Sequence, residues 1–224
     1  MQSAVIPDDW QAARSRCDIN ASEAGEACGL GYRSRAEWVA VRLGERKKAI
    51  NDEFLEAVMQ RGHDDQPFAE YTYVEHILSE EERMLPEAHY RRTLYQNNDV
   101  WIVGATPDAL VTDREGCLLR TVEYKCSQND GEGVPAAPRA NHLIQCVTQL
   151  YVMGLREAHL FYYRRATGVY RCFRVVSSDT LFFNVVWPWL REALEMESSS
   201  KARMPKGEIE RRTQLLYEAF LSKV

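Results

Sequence analysis

A chain of 224 residues, 45% apolar and 27% charged, is long enough to bury a substantial core and has the composition of a globular protein, not of a disordered or collagen-like one. Its formal net charge of −5 excludes a uniformly basic nucleic-acid module and leaves room only for a locally basic face. The longest apolar stretch, LFFNVVWPWL at 181–190, contains Asn184 and Pro188 and is too short to span a bilayer. No charged-apolar-small leader opens the sequence, so an intracellular protein is expected, cytoplasmic in a bacterial or phage setting and nuclear in a eukaryotic or viral one.

Residues 7–17 read as a short helix, with Pro7 and Asp8 suited to its first turn. Asn20 with Glu23 and Ser34 with Glu37 have capping-box spacing and start two more helices. The stretches 46–61 and 64–79 are expected to be helical and separated near Gly62. Strands follow at 100–104, 109–112 and 117–126, then the Gly/Pro/Asn-rich loop SQNDGEGVPAAPRAN at 127–141. Residues 141–154 form a helix with Leu143, Val147, Leu150 and Tyr151 on one face, and Gln145 and Gln149 on a polar face roughly opposite. A hairpin turns around Ala166-Thr167-Gly168, and helices near 178–197 and 207–222 close the chain. The pattern predicts an α/β (α+β) fold with a central mixed sheet flanked by helices. One domain covers 1–224, with a helical part at 1–80, a sheet core at 99–176 and terminal helices at 177–224. Six cysteines lack C-x-x-C spacing and read as core thiols, not as a zinc or iron–sulfur site.

The stretch ATPDALVTDREGCLLRTVEYKC at 105–126 places three charges in an otherwise apolar hairpin. If Thr112 pairs with Cys117, Asp108 faces Thr121 and Glu123 is its diagonal neighbour, roughly 7–8 Å away. Lys125 shares that face because strand side chains alternate. Charges in a central strand are costly unless paired or metal-bound. Two carboxylates beside an ammonium suit a hard divalent cation such as Mg²⁺ or Mn²⁺.

This Pro-Asp and Glu-x-Lys pattern resembles the active-site motif of the PD-(D/E)XK nucleases, which have a restriction-endonuclease-like core. With NASEAGEACGLGYRSRAEW (20–38), RGHDDQPFAEYTY (61–73) and QCVTQLYVMG (145–154), the motifs follow the order of the YqaJ-like viral recombinase family. That family includes the phage lambda exonuclease and is related to herpesvirus alkaline nucleases. The resemblance implies a metal-dependent 5′→3′ exonuclease on linear double-stranded DNA. Asp108, Glu123 and the Tyr124 main-chain carbonyl would hold one or two Mg²⁺ or Mn²⁺ ions. Lys125 and Gln145 would act on water or phosphate, and Gln149 would face DNA. The W-x-x-x-R of Trp10 and Arg14, with Ser22 of the A-S-E segment, would bind the 5′-phosphate. A homo-oligomeric ring and a single-strand annealing protein are the implied partners.

One position departs from the family pattern. Gln66 stands where a metal-binding Glu is expected, with Asp65 and Glu70 as nearby substitutes. A neutral amide oxygen is a weaker ligand for a second ion, which with the acidic balance leaves open a catalytically weakened nucleic-acid-binding recombination protein. An endonuclease on DNA or RNA is the other alternative, because the same core serves both activities.

Overall fold

A computed structural model describes residues 10–46, 53–96, 98–126 and 133–221. The chain opens with α1 (Trp10–Ser15), β1 (Ile19–Asn20), α2 (Ala21–Ala27), α3 (Arg35–Arg42) and the long α4 (Glu53–His76). Strands β2 (Arg83–Pro86), β3 (Tyr90–Gln96), β4 (Asp99–Ala105), β5 (Ala109–Thr112) and β6 (Leu118–Cys126) come next. Helix α5 (Ala140–Met153) leads to β7 (Glu157–Arg164) and β8 (Val169–Val176). Then α6 (Asp179–Leu181) continues through a π-helical turn into α7 (Trp187–Leu194), and α8 (Glu208–Phe220) ends the described chain.

The larger sheet has the order β2-β5-β6-β7-β8 and is antiparallel except between β6 and β7. Those two run parallel because α5 carries the chain back between them. The smaller sheet has the order β1-β4-β3, with β1 parallel to β4. This is the expected mixed α/β architecture, divided into two sheets where a single one was expected. The division falls at Thr106-Pro107-Asp108, between β4 and β5. Pro107 has no N–H for a ladder, so pairing changes there and Asp108 is left at the entry to β5.

Alternation along β6 separates two environments. Val122 and Tyr124 join Ala69 and Tyr73 of α4 and Phe161 and Tyr163 of β7 in one apolar cluster. Glu123 and Lys125 face the opposite way, toward α5. Helix α5 also meets α2, α8 and strands of both sheets. Every residue of α5 from His142 to Met153 except Gln145 is therefore buried. The polar face of Gln145 and Gln149 is turned to Glu123 and not to solvent; the helix is interior. Gly154, left-handed at φ 67°, ends it.

Several local expectations change. The helix expected to break near Gly62 is continuous through Gly62 and Pro67. A glycine costs a helix only about 1 kcal/mol, and Ala69 and Tyr73 anchor its later turns in the core. Residues 47–52 lie outside the described part. The capping box of Ser34 and Glu37 forms, whereas Asn20 caps nothing and instead donates from Nδ2 to the Arg14 carbonyl at 3.2 Å. Strands β2 and β3 were not expected. Cys117 is exposed, while Cys28 and Cys146 are buried and all six cysteines are free thiols. No described helix is long and apolar enough to cross a membrane.

The hairpin register also moves. Asp113 closes the turn on Cys117, accepting from its N–H at 2.7 Å. A bulge between Val111 and Thr112 then pairs Thr112 with Leu118, Leu110 with Thr121 and Ala109 with Val122. Asp108 therefore lies two residues further along β6 than the simple register places it, beside Glu123 and Tyr124.

On the α4 side, Arg120 of β6 donates to both Glu82 carboxylate oxygens at 2.6 Å and to the Tyr73 hydroxyl at 3.2 Å. The Arg120 hydrogen bonds are the main cause that pulls the Glu82 carboxyl down to about 2. A depressed folded-state pKa gives stability that is complete above the unfolded value of about 4.3 and is lost as pH falls toward 2. Glu82→Gln is expected to cost about 1–2 kcal/mol at pH 7. Urea denaturation from pH 7 to pH 3 checks this: the gap between variant and wild type should narrow below about pH 4.

Candidate active site

The site is assembled where β6 faces α5. Glu123 is 2% exposed, and burying a carboxylate demands partners. It has three. Lys125 Nζ donates to Oε1 at 2.7 Å, Gln145 Nε2 donates to Oε1 at 2.6 Å, and Gln149 Nε2 donates to Oε2 at 2.6 Å. Lys125 also donates to Gln145 Oε1 at 3.1 Å, closing a triangle. The spacing of Gln145 and Gln149 sets both amides on the stripe of α5 that meets β6.

Asp108 is half-buried and joins from β5, its Oδ2 accepting from the Tyr124 N–H at 2.7 Å. Burial, then the charge of Glu123, push the Asp108 carboxyl well above the usual carboxylate range, against the pull of Lys125 and the Tyr124 N–H. For Lys125, burial opposes the charge, but Glu123 and Asp108 outweigh it and raise the ammonium above its ordinary value. Lys125 is thus a standing cation, not a base. An Asp108 carboxyl whose ionisation the neighbouring Glu123 charge opposes belongs to a donor set that a divalent cation would relieve. Among the described residues no group of three or more His, Cys, Asp and Glu side chains converges. Two carboxylates nevertheless suffice for Mg²⁺, which keeps waters and takes substrate phosphate oxygens as further ligands.

The other expected ligands are placed differently. The Tyr124 ring lies on the α4 side, its hydroxyl 3.8 Å from Met84 Sδ, so only its main chain borders the site. Gln66 is half-buried on α4 and, among the described residues, makes no hydrogen bond to Asp108 or Glu123. Neighbouring Asp65 is paired with Arg165 at 3.1 Å, and Glu70 is exposed. Gln149, expected at DNA, is fully buried on Glu123, with its Oε1 unpartnered.

Arg14 and Ser22 do meet: Arg14 Nη2 donates to Ser22 Oγ at 2.9 Å. Sequence reasoning missed the residues behind them. His89 is buried, 3.0 Å from Thr106 Oγ1 through Nδ1 and 3.9 Å from Cys17 Sγ through Nε2. Burial, then Arg14 and Arg91, push the His89 imidazole down. A neutral imidazole therefore links the surroundings of Arg14 to Thr106, two residues before Asp108. Nothing local in the sequence signals that contact, since 72 residues separate Cys17 from His89.

A second missed network lies beyond Lys125. Tyr162, its partner on β7, bonds through its hydroxyl to His142 Nδ1 at 2.8 Å. His142 Nε2 reaches the Tyr32 hydroxyl at 3.1 Å. Burial, then Lys125 and Arg139, hold the His142 imidazole down at about 2. It is neutral at physiological pH.

The family model of the YqaJ-like viral recombinase domain matches residues 9–156, from the first described helix through α5 and its two glutamines. The chain belongs to the YqaJ-like viral recombinase family. Among solved structures it resembles an alkaline exonuclease (LHK-Exo) from Laribacter hongkongensis, with a TM-score of 0.58 and 20% identity over 95% of this chain and 97% of that one. The same exonuclease in complex with dAMP gives a TM-score of 0.58 at 19% identity, with the same coverage. A phage related exonuclease from Haemophilus somnus 129PT gives 0.49 at 13% identity, over 89% of this chain and 95% of that one. A search of curated proteins finds no match. The likeness to LHK-Exo establishes an exonuclease-like fold for this viral-recombinase domain.

Proposed function

We propose that this recombinase-family protein is a divalent-metal-dependent 5′→3′ exonuclease that degrades one strand of linear double-stranded DNA and leaves 3′ tails. The observation that carries the reading is the buried Glu123, held by Lys125, Gln145 and Gln149 beside Asp108. Such an expensive arrangement of charge has no structural need where apolar residues would pack. A relative of the same fold was crystallised with dAMP, which agrees with a deoxynucleotide substrate.

In this reading Asp108 and Glu123 hold Mg²⁺ or Mn²⁺, singly or as a pair, and Gln66 is at best a neutral second-ion ligand. The ion, when bound, lowers the pKa of the attacking water and offsets charge on the scissile phosphate. The protein's own groups supply the rest. Lys125, kept protonated by its two carboxylates, directs an N–H toward the phosphoryl oxygen where negative charge grows. Gln145 fixes the Lys125 ammonium through its Oε1 and the Glu123 carboxylate through its Nε2. Gln149 prevents Glu123 from rotating away. Arg14, with its planar fork, and Ser22 bind the 5′-terminal phosphate and so select linear ends. A ring of several copies, acting with a single-strand annealing protein, would retain the duplex between turnovers.

Glu123→Gln and Lys125→Ala are each expected to lower cleavage about 100-fold or more while the far-ultraviolet spectrum and DNA affinity persist. The assay compares linear and circular duplexes, with and without 5′-phosphate, in Mg²⁺ and Mn²⁺. Loss of linear phosphorylated DNA alone supports the exonuclease; cutting of circles makes it an endonuclease, and binding without cutting makes it a scaffold.

Arg14→Ala should reduce the preference for 5′-phosphorylated over 5′-hydroxyl ends about 10-fold, as expected for losing charge-assisted hydrogen bonds. Initial rates on the two end types measure it. An unchanged preference removes Arg14 and Ser22 from the end pocket.

A further inference from the structure

Tyr32 is the most unusual exposed aromatic outside the catalytic cluster. It is 73% exposed, yet it is not loose. Its hydroxyl lies 3.1 Å from His142 Nε2 and accepts from Arg139 Nη1 at 3.4 Å. The backbone before it is clamped: a Cβ on Gly31 would lie 2.7 Å from the Glu26 Cα and N. The residue after it, Arg33, donates from Nε to Glu26 at 2.9 Å. A large ring is thus held at its polar end and by its main chain, tilted against the His142 ring at 6.2 Å, with most of its surface in solvent. An exposed aromatic that only filled surface would need none of these ties.

Its anchor leads to the active site. His142 stands one helical turn before Gln145 on α5 and bonds to Tyr162, whose strand partner is Lys125. Arg139, the residue that precedes α5, is exposed and forms no ion pair with a carboxylate among the described residues. The protein therefore presents a fixed aromatic ring and an exposed guanidinium side by side, joined through His142 and Tyr162 to the strand position of Lys125.

We propose that Tyr32 and Arg139 form a nucleobase platform: the Tyr32 ring stacks on an unpaired base of the DNA end, and Arg139 bonds to the adjoining phosphate. Stacking accepts any base because each has a π face, which suits an enzyme that must advance through arbitrary sequence. Arg139 meets the negatively charged backbone with no carboxylate to displace among the described residues. The rigid anchor lowers the ordering cost of binding, since little ring motion remains to be lost.

The proposal rests on the nuclease reading, and its test separates the two. A linear duplex with a short unpaired 5′ end carries 2-aminopurine at successive terminal positions, in EDTA so that no turnover occurs. Wild type should bind and quench the probe at one or two positions. Tyr32→Ala and Tyr32→Leu should weaken binding about 10-fold and abolish the quench. Tyr32→Phe, which keeps the ring, should retain the quench and bind within about 3-fold of wild type, and Arg139→Gln should flatten the salt dependence of binding. Mg²⁺-dependent cleavage by wild type is measured alongside. Wild-type binding and cleavage with an unaltered quench in Tyr32→Leu overturns the platform alone. Loss of the quench in Tyr32→Phe as complete as in Tyr32→Leu also overturns it, because the hydroxyl rather than the ring would then be responsible. A wild type that neither binds nor cuts DNA overturns both.

Discussion

The architecture depends on one electrostatic demand, the carboxylate of Glu123 placed out of water on a central strand. A lone buried carboxylate costs several kcal/mol, and three donors at 2.6–2.7 Å offset that cost. Two of them come from α5, so the helix must face β6. That position makes α5 interior, with α2 and α8 covering its outer sides. Its apolar sides meet α2, α8 and both sheets, while one polar stripe serves Glu123.

The second constraint is the break at Pro107. Had β4 continued into β5 in one sheet, Asp108 would be spent inside a ladder. Instead the change of sheet frees it to accept the Tyr124 N–H, within the field of Glu123. Mutual repulsion between the two carboxylates is tempered by Lys125 but not removed. Such a site stores an unfavourable arrangement that a divalent cation and a phosphate would relieve together. The same break places Thr106 against His89, so the surroundings of Arg14 and the hairpin share one short backbone segment.

What could be read from the sequence follows the range of each interaction. The Glu123–Lys125 pair is two residues apart on one strand face, and the Ser34–Glu37 box is three apart at a helix start; both are local and legible. The register of the hairpin was not, because a bulge at Val111 adds a residue without leaving a clear mark in composition. The continuity of α4 was misread because Gly62 looks like a stop when packing is invisible. Gln149 illustrates the same blindness: an amide at helical spacing looks solvent-facing until the carboxylate it serves, 26 residues earlier, is placed opposite. The pairing of Arg14 with Ser22, by contrast, came from family motifs and not from any pattern of periodicity. His142, Tyr162 and Tyr32 have no such pattern, since their contacts join distant parts of the chain.

The central claim is that Asp108 and Glu123 form a cation site whose charge Lys125 cannot fully balance. A titration of Mn²⁺ into the DNA-free protein, followed by the resonance signal of the free ion, tests it without relying on catalysis. Wild type should bind, Asp108→Asn should bind about 10-fold more weakly or worse, and Gln66→Glu should bind more tightly if α4 reaches a second ion, because added negative ligands strengthen binding of hard cations. Equal Mn²⁺ affinity in wild type and Asp108→Asn would contradict the account.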